Sequence, residues 1–308
     1  MLERFRVAVL HGGHHASVPF GVVDVGSNTV RLLVAERGRT ILSERQMLHL
    51  GADIEAHGCI PAAKLDELAA VVRRFVRDSA AAGAEHVEVL IASPGRQAGN
   101  GAELQRVLAE ASGKPTRILT AAEEGHLAFA GALSVAGMPA RRQVAVVDVG
   151  GGSAQAVVGS VRNGPQWVRS IDLGSQRLAS RLLADDPPGA AAIGAARAEV
   201  ERYLDRFDPP APRTTLAVGG SARALKRIVG SRIGVDELDH VLELLAVTPA
   251  AGLVERYGIG EERARTLPAG AVILSGLQHR LGTPLRVVRA GLRDGAVLAL
   301  AAEHAAAA

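Results

Sequence analysis

Two short segments carry the residue types that grip an anion. Val22-Val23-Asp24-Val25-Gly26 runs into Ser27, Asn28 and Thr29. The same five residues recur as Val146-Val147-Asp148-Val149-Gly150, followed by Gly151, Gly152 and Ser153. In the first segment Gly26 permits a turn whose successive backbone N–H groups point at one anion, and Ser27, Asn28 and Thr29 add side-chain donors. Asp24 cannot take phosphate, but it can hold a hydrated Mg²⁺ beside one. A plain hairpin turn uses the same residue types, so this loop alone leaves both readings open. In the second segment the run Gly150–Gly152 is costly for a plain hairpin, because glycine is entropically expensive to order. It suits backbone that must approach a ligand closely. Two such loops at matching positions of duplicated units can face each other across a cleft and embrace one terminal phosphate.

Three further segments carry candidate chemistry. Ser93-Pro94-Gly95-Arg96-Gln97-Ala98-Gly99-Asn100 follows an apolar strand, and strand ends of α/β sheets are where ligands bind. Arg96 there is either a phosphate ligand or an ordinary exposed arginine. Glu123-Glu124 opens a helix, where carboxylates favour the helix dipole and serve as simple caps. One of them can instead be the general base that activates water for attack on phosphorus. Adjacent helix residues point about 100° apart, so only one need face the ligand. Gly219-Gly220-Ser221 is a third glycine turn before a helix. It suits close backbone packing or the distal part of a ligand at a helix N-terminus. His11, His14 and His15 cluster near the start, but nothing downstream completes a metal site. Cys59 has only His57 nearby and no nucleophile arrangement.

These residues need a scaffold of strands and helices in alternation. Each Asp–Gly segment ends a β-branched strand and is followed by two more apolar strands, Thr29–Glu36 and 40–50 in the first copy, Ala154–Ser160 and 167–172 in the second. Between the copies the pattern predicts a helix from Pro61 to about Ala82, a strand over 86–92, a loop over 93–100, a helix over 101–111, and a short strand over 116–119. Thr120 with Glu123 three residues on forms a capping box that opens a helix through Val135. The second half predicts helices near 175–183 and 190–207, a strand at Thr214–Val218, a mainly helical stretch over 236–278, a strand over 285–288 and a final helix over 292–304. The class is α/β, with mixed sheets covered by helices. Residues 1–19 read as a flexible extension, 20–136 as a first domain onto which the last helix packs back, and 137–291 as a second.

Composition narrows the function classes. The chain has 308 residues, 48% of them hydrophobic and 22% charged, which excludes a disordered protein and allows two ordinary domains. Its single cysteine excludes a disulfide framework. No apolar run approaches the roughly 18 residues of a membrane span, so a cytoplasmic protein without a membrane partner is expected. The net charge of +3 hides an almost all-arginine basic set, with Lys64, Lys114 and Lys226 the only lysines. The arginines are scattered, and an aromatic content of 3% gives no stacking platform for nucleic acid. Sequence-specific nucleic-acid binding is not expected.

As a set, the motifs resemble the exopolyphosphatase/guanosine pentaphosphate phosphohydrolase (Ppx/GppA) family of the actin-like superfamily. Asp24 to Leu32 matches the family's D-x-G-S-N-[ST]-x-[RH]-L in full, and Asp148 to Ser153 matches D-x-G-G-G-S. Ser93, Arg96, Ala98 and Asn100 match the T-S-A-x-R-x-A-x-N loop, from which Ala92 and Pro94 depart. Glu123, Glu124, Gly125 and Leu127 match E-E-[AG]-x-L. The stretch from Leu173 to Leu178, the turn Gly219 to Ala222 and the closing Gly291-Leu292-Arg293-Asp294-Gly295 complete the series, nearly end to end and in order. The resemblance implies two duplicated actin-like (ribonuclease H-like) domains with a cleft between them. It implies a substrate that is polyphosphate or guanosine pentaphosphate, held by the two glycine loops and Arg96. It further implies Mg²⁺ at Asp24 and Asp148, and Glu124 as the base that deprotonates water for in-line attack. A homodimer is compatible with this fold. Larger family members add a C-terminal helical region that helps hold long polymer, so short chains are the expected substrate.

One departure bears on activity. The family usually carries a metal-associated glutamate two residues after the second-motif serine, and here that position is Gln155, a weaker Mg²⁺ ligand. His126 also stands where the family often has arginine. The alternative is therefore a binding or regulatory protein with little turnover. A sugar or acetate kinase of the same superfamily is disfavoured by the complete first motif.

Overall fold

The computed structural model describes residues 18–307. The expected extension and its His11, His14 and His15 lie almost wholly outside them. The chain divides into two compact units. The first runs up to Gly137 and takes back the segment from Leu292 onward; the second is Met138–Gly291.

In the first unit, β1 (Phe20–Val25), β2 (Thr29–Glu36) and β3 (Arg39–Met47) form an antiparallel meander. To β1 are added in parallel β4 (His86–Ile91) and then β5 (Thr116–Ile118), giving the sheet order β3-β2-β1-β4-β5. The alternation of side chains along a strand sends Val23 and Val25 to one face of β1, and Phe20 and Val22 to the other. The first face packs under α2 (Ala62–Ala81) and α4 (Gly101–Ser112), with Leu65, Leu68, Val72, Phe75, Leu104 and Leu108 buried against it. The second face packs under α5 (Ala121–Ala136) and α12 (Leu292–Ala307) through Leu127, Ala130, Ala296, Val297 and Ala301. Asp24 shares the parity of Phe20 and Val22, so it lies on the α5–α12 face.

Two expectations for this unit need correcting. The third strand stops at Met47, and Leu50–His57 form helix α1. The N–H groups of Leu48 and His49 both turn back onto the Asn28 carbonyl, which takes the chain off the ladder. Ser93–Gln97 is not a loop but a helical turn, α3, with Pro94 in its first turn, where a missing N–H costs nothing.

The second unit repeats the plan. Its strands β6 (Val144–Val149), β7 (Ala154–Ser160) and β8 (Gly164–Ile171) form the meander. Beside β6 lie β9 (Thr214–Val218), β11 (Leu285–Val287) and the short β10 (Arg232–Ile233), in the order β10-β11-β9-β6-β7-β8. One face is covered by α6 (Ser175–Leu182), α7 (Gly189–Tyr203), α8 (Gly219–Val229), α9 (Val235–Val247), α10 (Ala250–Tyr257) and α11 (Glu261–Leu281). Ala145, Val147 and Val149 of β6 with Ala154, Ala156 and Val158 of β7 line the core beneath them. Asp148 and Gln155 have the opposite parity and point away from that core. A three-stranded meander extended in parallel from its first strand is the ribonuclease H-like sheet of actin-like proteins, present twice. No helix of the described residues is long and apolar enough to cross a membrane.

Candidate active site

Each unit places its Asp–Gly segment at the end of its first strand, and the two turns close in the same way. Gly26 N–H donates to Thr29 O at 3.2 Å, and Gly150 N–H donates to Ser153 O at 3.0 Å. A Cβ on Gly26 or Gly150 would come within 3.2 or 3.1 Å of that same carbonyl, so both positions press for glycine. The repeat in the sequence is thus a repeat of geometry.

In the first unit the turn is tied to its surroundings through Ser27. Its Oγ lies 2.7 Å from Ser93 Oγ, and its carbonyl accepts from Gly51 N–H at 2.7 Å. Ala92 N–H donates to Val25 O at 3.0 Å, which brings α3 alongside the turn. Thr29 is buried, and the buried Asn28 Oδ1 meets no hydrogen-bond donor among the described residues. Asp24 is buried, and burial pushes its carboxyl above its ordinary pKa. The charges of Arg31, its cross-strand partner, and of Arg293 on α12 pull it back without cancelling the effect.

Arg96 and Glu124 meet directly. Arg96 Nη2 donates to Glu124 Oε2 at 2.9 Å, and Nη1 donates to the Leu119 carbonyl at 2.7 Å. The Glu124 side chain is 5% exposed and that of Arg96 21%, so this pair lies largely out of water. Glu123 points elsewhere. Its Oε2 accepts from the N–H and hydroxyl of Thr120 at 2.8 Å each, and its Oε1 accepts from Arg117 at 2.8 Å. Thr120 Oγ1 accepts from Glu123 N–H in return, completing the capping box. Burial raises the Glu123 carboxyl, but the bonds from Thr120 and the charge of Arg117 outweigh it, and its pKa falls below the ordinary value. The two adjacent glutamates are thus divided by direction, one to a cap and one to a half-buried arginine. Burial also lowers the neighbouring His126 imidazole, against the charge of Glu123.

In the second unit the loop carbonyls are held by the start of α6. Ser175 N–H and Oγ both bond to the Gly150 carbonyl, and the N–H groups of Gln176 and Arg177 donate to that of Gly151. Gly174 packs so closely on the Gly151–Gly152 peptide that no side chain fits. Gln155 lies opposite Asp148 in the β6–β7 ladder, where the first unit has Arg31 opposite Asp24. Gln155 Nε2 donates to Ser153 Oγ at 2.9 Å, with both residues buried. The third glycine turn begins α8. Gly219 has φ +90°, and a Cβ there would stand 2.6 Å from Asp148 Oδ1. Gly220 leaves room for Arg263, whose guanidinium donates to Ser221 Oγ at 3.2 Å.

Sequence reasoning missed the partners that stand far off in the chain. Arg293 beside Asp24, Ser93 on Ser27 and Arg263 on Ser221 carry no local signal, because the spacing of residues says nothing about which helices return to a given strand. The turn Gly219-Gly220-Ser221 signals close packing, but nothing in it names Arg263 as the group that fills the space.

The carboxylates match the chemistry of Mg²⁺, which takes one or two carboxylates, several waters and substrate phosphate oxygens in place of an all-protein cage. Asp24 is a buried acid that a cation would relieve, and the unpartnered Asn28 Oδ1 is an oxygen of the kind a metal-bound water donates to. Among the described residues no three His, Cys, Asp or Glu side chains converge into a cage.

A ribonuclease H-like sheet that ends its first strand in an Asp–Gly turn, present in two copies with a buried glutamate paired to an arginine beside one of them, defines a phosphoryl-handling protein of the actin-like class. The profile of the Ppx/GppA phosphatase family matches residues 33–304, and the chain belongs to that family. Its members are phosphoanhydride hydrolases. The chain is 26% identical over 300 residues to exopolyphosphatase 1 of Mycobacterium leprae, covering 90% of this chain and 88% of that protein. It is 26% identical over 316 residues to exopolyphosphatase 2 of Mycobacterium tuberculosis, covering 91% and 97%. The crystal structure of the Aquifex aeolicus Ppx/GppA family member superposes with a TM-score of 0.78 at 22% identity, over 93% of this chain and 98% of that one. An exopolyphosphatase from Cytophaga hutchinsonii superposes with a TM-score of 0.80 at 18% identity, over 92% and 97%. These two likenesses establish the fold.

Proposed function

We propose that this chain releases orthophosphate from the end of a polyphosphate chain, with Glu124 as general base and Arg96 as a ligand of the terminal phosphate. The observation that carries the reading is the Arg96–Glu124 pair beside the Asp24 turn, a buried carboxylate whose charge is balanced by a cation. Guanidinium matches the paired oxygens of a phosphate, so an incoming phosphate competes for Arg96. Once Arg96 turns to phosphate, Glu124 loses its counter-charge and becomes the stronger base. It orients a water and takes its proton as the water oxygen attacks phosphorus. The bond to the bridging oxygen breaks and orthophosphate leaves. Each unit's turn, Gly26–Thr29 in the first and Gly150–Ser153 in the second, offers N–H and hydroxyl donors to phosphate oxygens, and Gly219–Ser221 supports the second of these. Asp24 and Asp148 each offer a carboxylate that would hold Mg²⁺, which when bound neutralises phosphate charge. Names of relatives support polyphosphate ahead of guanosine pentaphosphate, which stays a further substrate to test.

A second reading, a polyphosphate-binding regulator, is favoured by one feature, the neutral Gln155 at a position facing Asp148. Phosphate release from polyphosphate of defined lengths, and from guanosine pentaphosphate, separates the two. Hydrolysis that needs Mg²⁺ and falls by about a thousandfold in Glu124→Gln, with substrate binding kept, is the expected result. Full activity in Glu124→Gln removes the base assignment. Binding without release at every chain length selects the regulator.

A further inference from the structure

The second glycine loop holds a hydroxyl proton that the protein does not use. Ser153 Oγ receives a hydrogen bond from Gln155 Nε2 at 2.9 Å. A serine hydroxyl has one proton to give and two lone pairs to accept with. The amide nitrogen occupies a lone pair, so the proton is left over. Among the described residues no side chain or carbonyl accepts it. Ser153 is 4% exposed and Gln155 6%, so bulk water does not take it freely either. The neighbouring Ser175 differs, because its hydroxyl is spent on the Gly150 carbonyl. Ser153's own carbonyl closes the turn on Gly150 N–H, which fixes the backbone from which the hydroxyl projects. Gln155 and Asp148 share the face of the β6–β7 ladder turned away from the helical core, and Ser153 stands in the turn that leads into it.

We infer that Gln155 is a positioning residue for phosphate binding: by donating to Ser153 Oγ it holds the serine proton outward for a phosphate oxygen. The inference rests on the phosphate reading of this loop. An amide does this without placing a second negative charge beside Asp148. A carboxylate at the same place would accept the serine proton, reverse the bond and turn the hydroxyl from donor to acceptor. The neutral side chain thereby acquires a definite role as a setter of hydrogen-bond direction.

The test is a double-mutant cycle read by calorimetric binding of methylenediphosphonate, a non-hydrolysable diphosphate, in the presence of Mg²⁺. Gln155→Met removes the donor at similar volume and unchanged charge. It is expected to weaken binding about tenfold, the size of one hydrogen bond to a charged group. Ser153→Ala is expected to weaken it by a similar factor. In the Ser153→Ala background Gln155→Met should then have no further effect, because it acts only through the hydroxyl. Ser153→Thr, which keeps the hydroxyl, should restore the sensitivity to Gln155→Met. Equal losses from Gln155→Met in both backgrounds, or none in either, overturn the inference while leaving the phosphate site in place. Failure of the unsubstituted protein to bind the probe overturns the phosphate reading and the inference together. If Gln155→Met does not fold, Gln155→Leu serves instead: it also removes the donor without adding charge, and the inference requires a loss of about tenfold where Ser153 is present and none in the Ser153→Ala background.

Discussion

At the scale of single residues, the metal-binding role proposed for Asp24 works against stability. Its carboxyl is buried and pushed above the ordinary range by that burial, despite the charges of Arg31 and Arg293. A carboxyl raised in the folded state stabilises the fold while protonated and withdraws that contribution as pH rises through the folded-state value. Ionising Asp24 in the fold is therefore a cost that a bound cation relieves. Asp24→Asn keeps the shape and removes the charge. The metal-free variant is expected to melt a few degrees higher than the unsubstituted protein at pH 7, with the gap closing as pH falls and Asp24 becomes protonated. Mg²⁺-dependent phosphate release should be lost at the same time. A lower melting temperature at pH 7 in EDTA would show that Arg31 and Arg293 need this carboxylate more than the fold suffers from it. Residue types alone pointed to Asp24 as acidic and useful; its tension with the fold became readable only with Arg293, some 270 positions away, in place beside it.

At the scale of elements, what the sequence disclosed was local and what it concealed was not. The Thr120–Glu123 box, the glycine turns and the strand at Thr214–Val218 depend on neighbours a few residues apart, and the structure has all of them. The strand expected to reach Leu50 ends at Met47 because Asn28, nearly twenty residues earlier, captures two N–H groups, which no pattern within the strand announces. The helix that carries Glu124 shows how a cap serves a site. Glu123 spends both oxygens on Thr120 and Arg117, which fixes the first turn and so the direction in which Glu124 leaves it. Thr120→Ala is expected to cost about 1 kcal/mol in urea unfolding at pH 7. Because the Glu123 pKa is lowered in the fold, its contribution is present above its ordinary value and is lost as pH falls through the folded-state value. The difference between Thr120→Ala and the unsubstituted protein should therefore shrink on acidification toward about pH 4 and below. A difference that stays constant with pH would mean that Thr120 acts without Glu123.

At the scale of the molecule, the first unit is discontinuous, and its last helix packs beside the candidate site. Helix α12 returns across the whole second unit in sequence to lie on α5, burying Ala296, Val297 and Ala301 against Phe20, Val22 and Leu127. The crossing is so close that a Cβ on Gly295 would run into the Leu127 carbonyl and come within 3.0 Å of Gly131 N. This explains the last glycine of Gly291-Leu292-Arg293-Asp294-Gly295, which the sequence offered only as a resemblance. Leu127 is one helical turn from Glu124, and Arg293, two residues before Gly295, stands by Asp24. Any side chain that forces α12 outward therefore shifts Glu124, the proposed base, and the charge around Asp24 together. Gly295→Val is expected to destabilise the fold by about 2 kcal/mol, as overpacking of a filled contact does. It should lower kcat further than the small population of unfolded protein accounts for. Hydrogen exchange locates the damage: protection should fall in α5, α12 and β1 while α7, α9 and α11 of the second unit keep theirs, because the two units have separate cores. Equal loss of protection in both units would mean that the chain unfolds as one body, with α12 stabilising the whole of it and not the first unit alone.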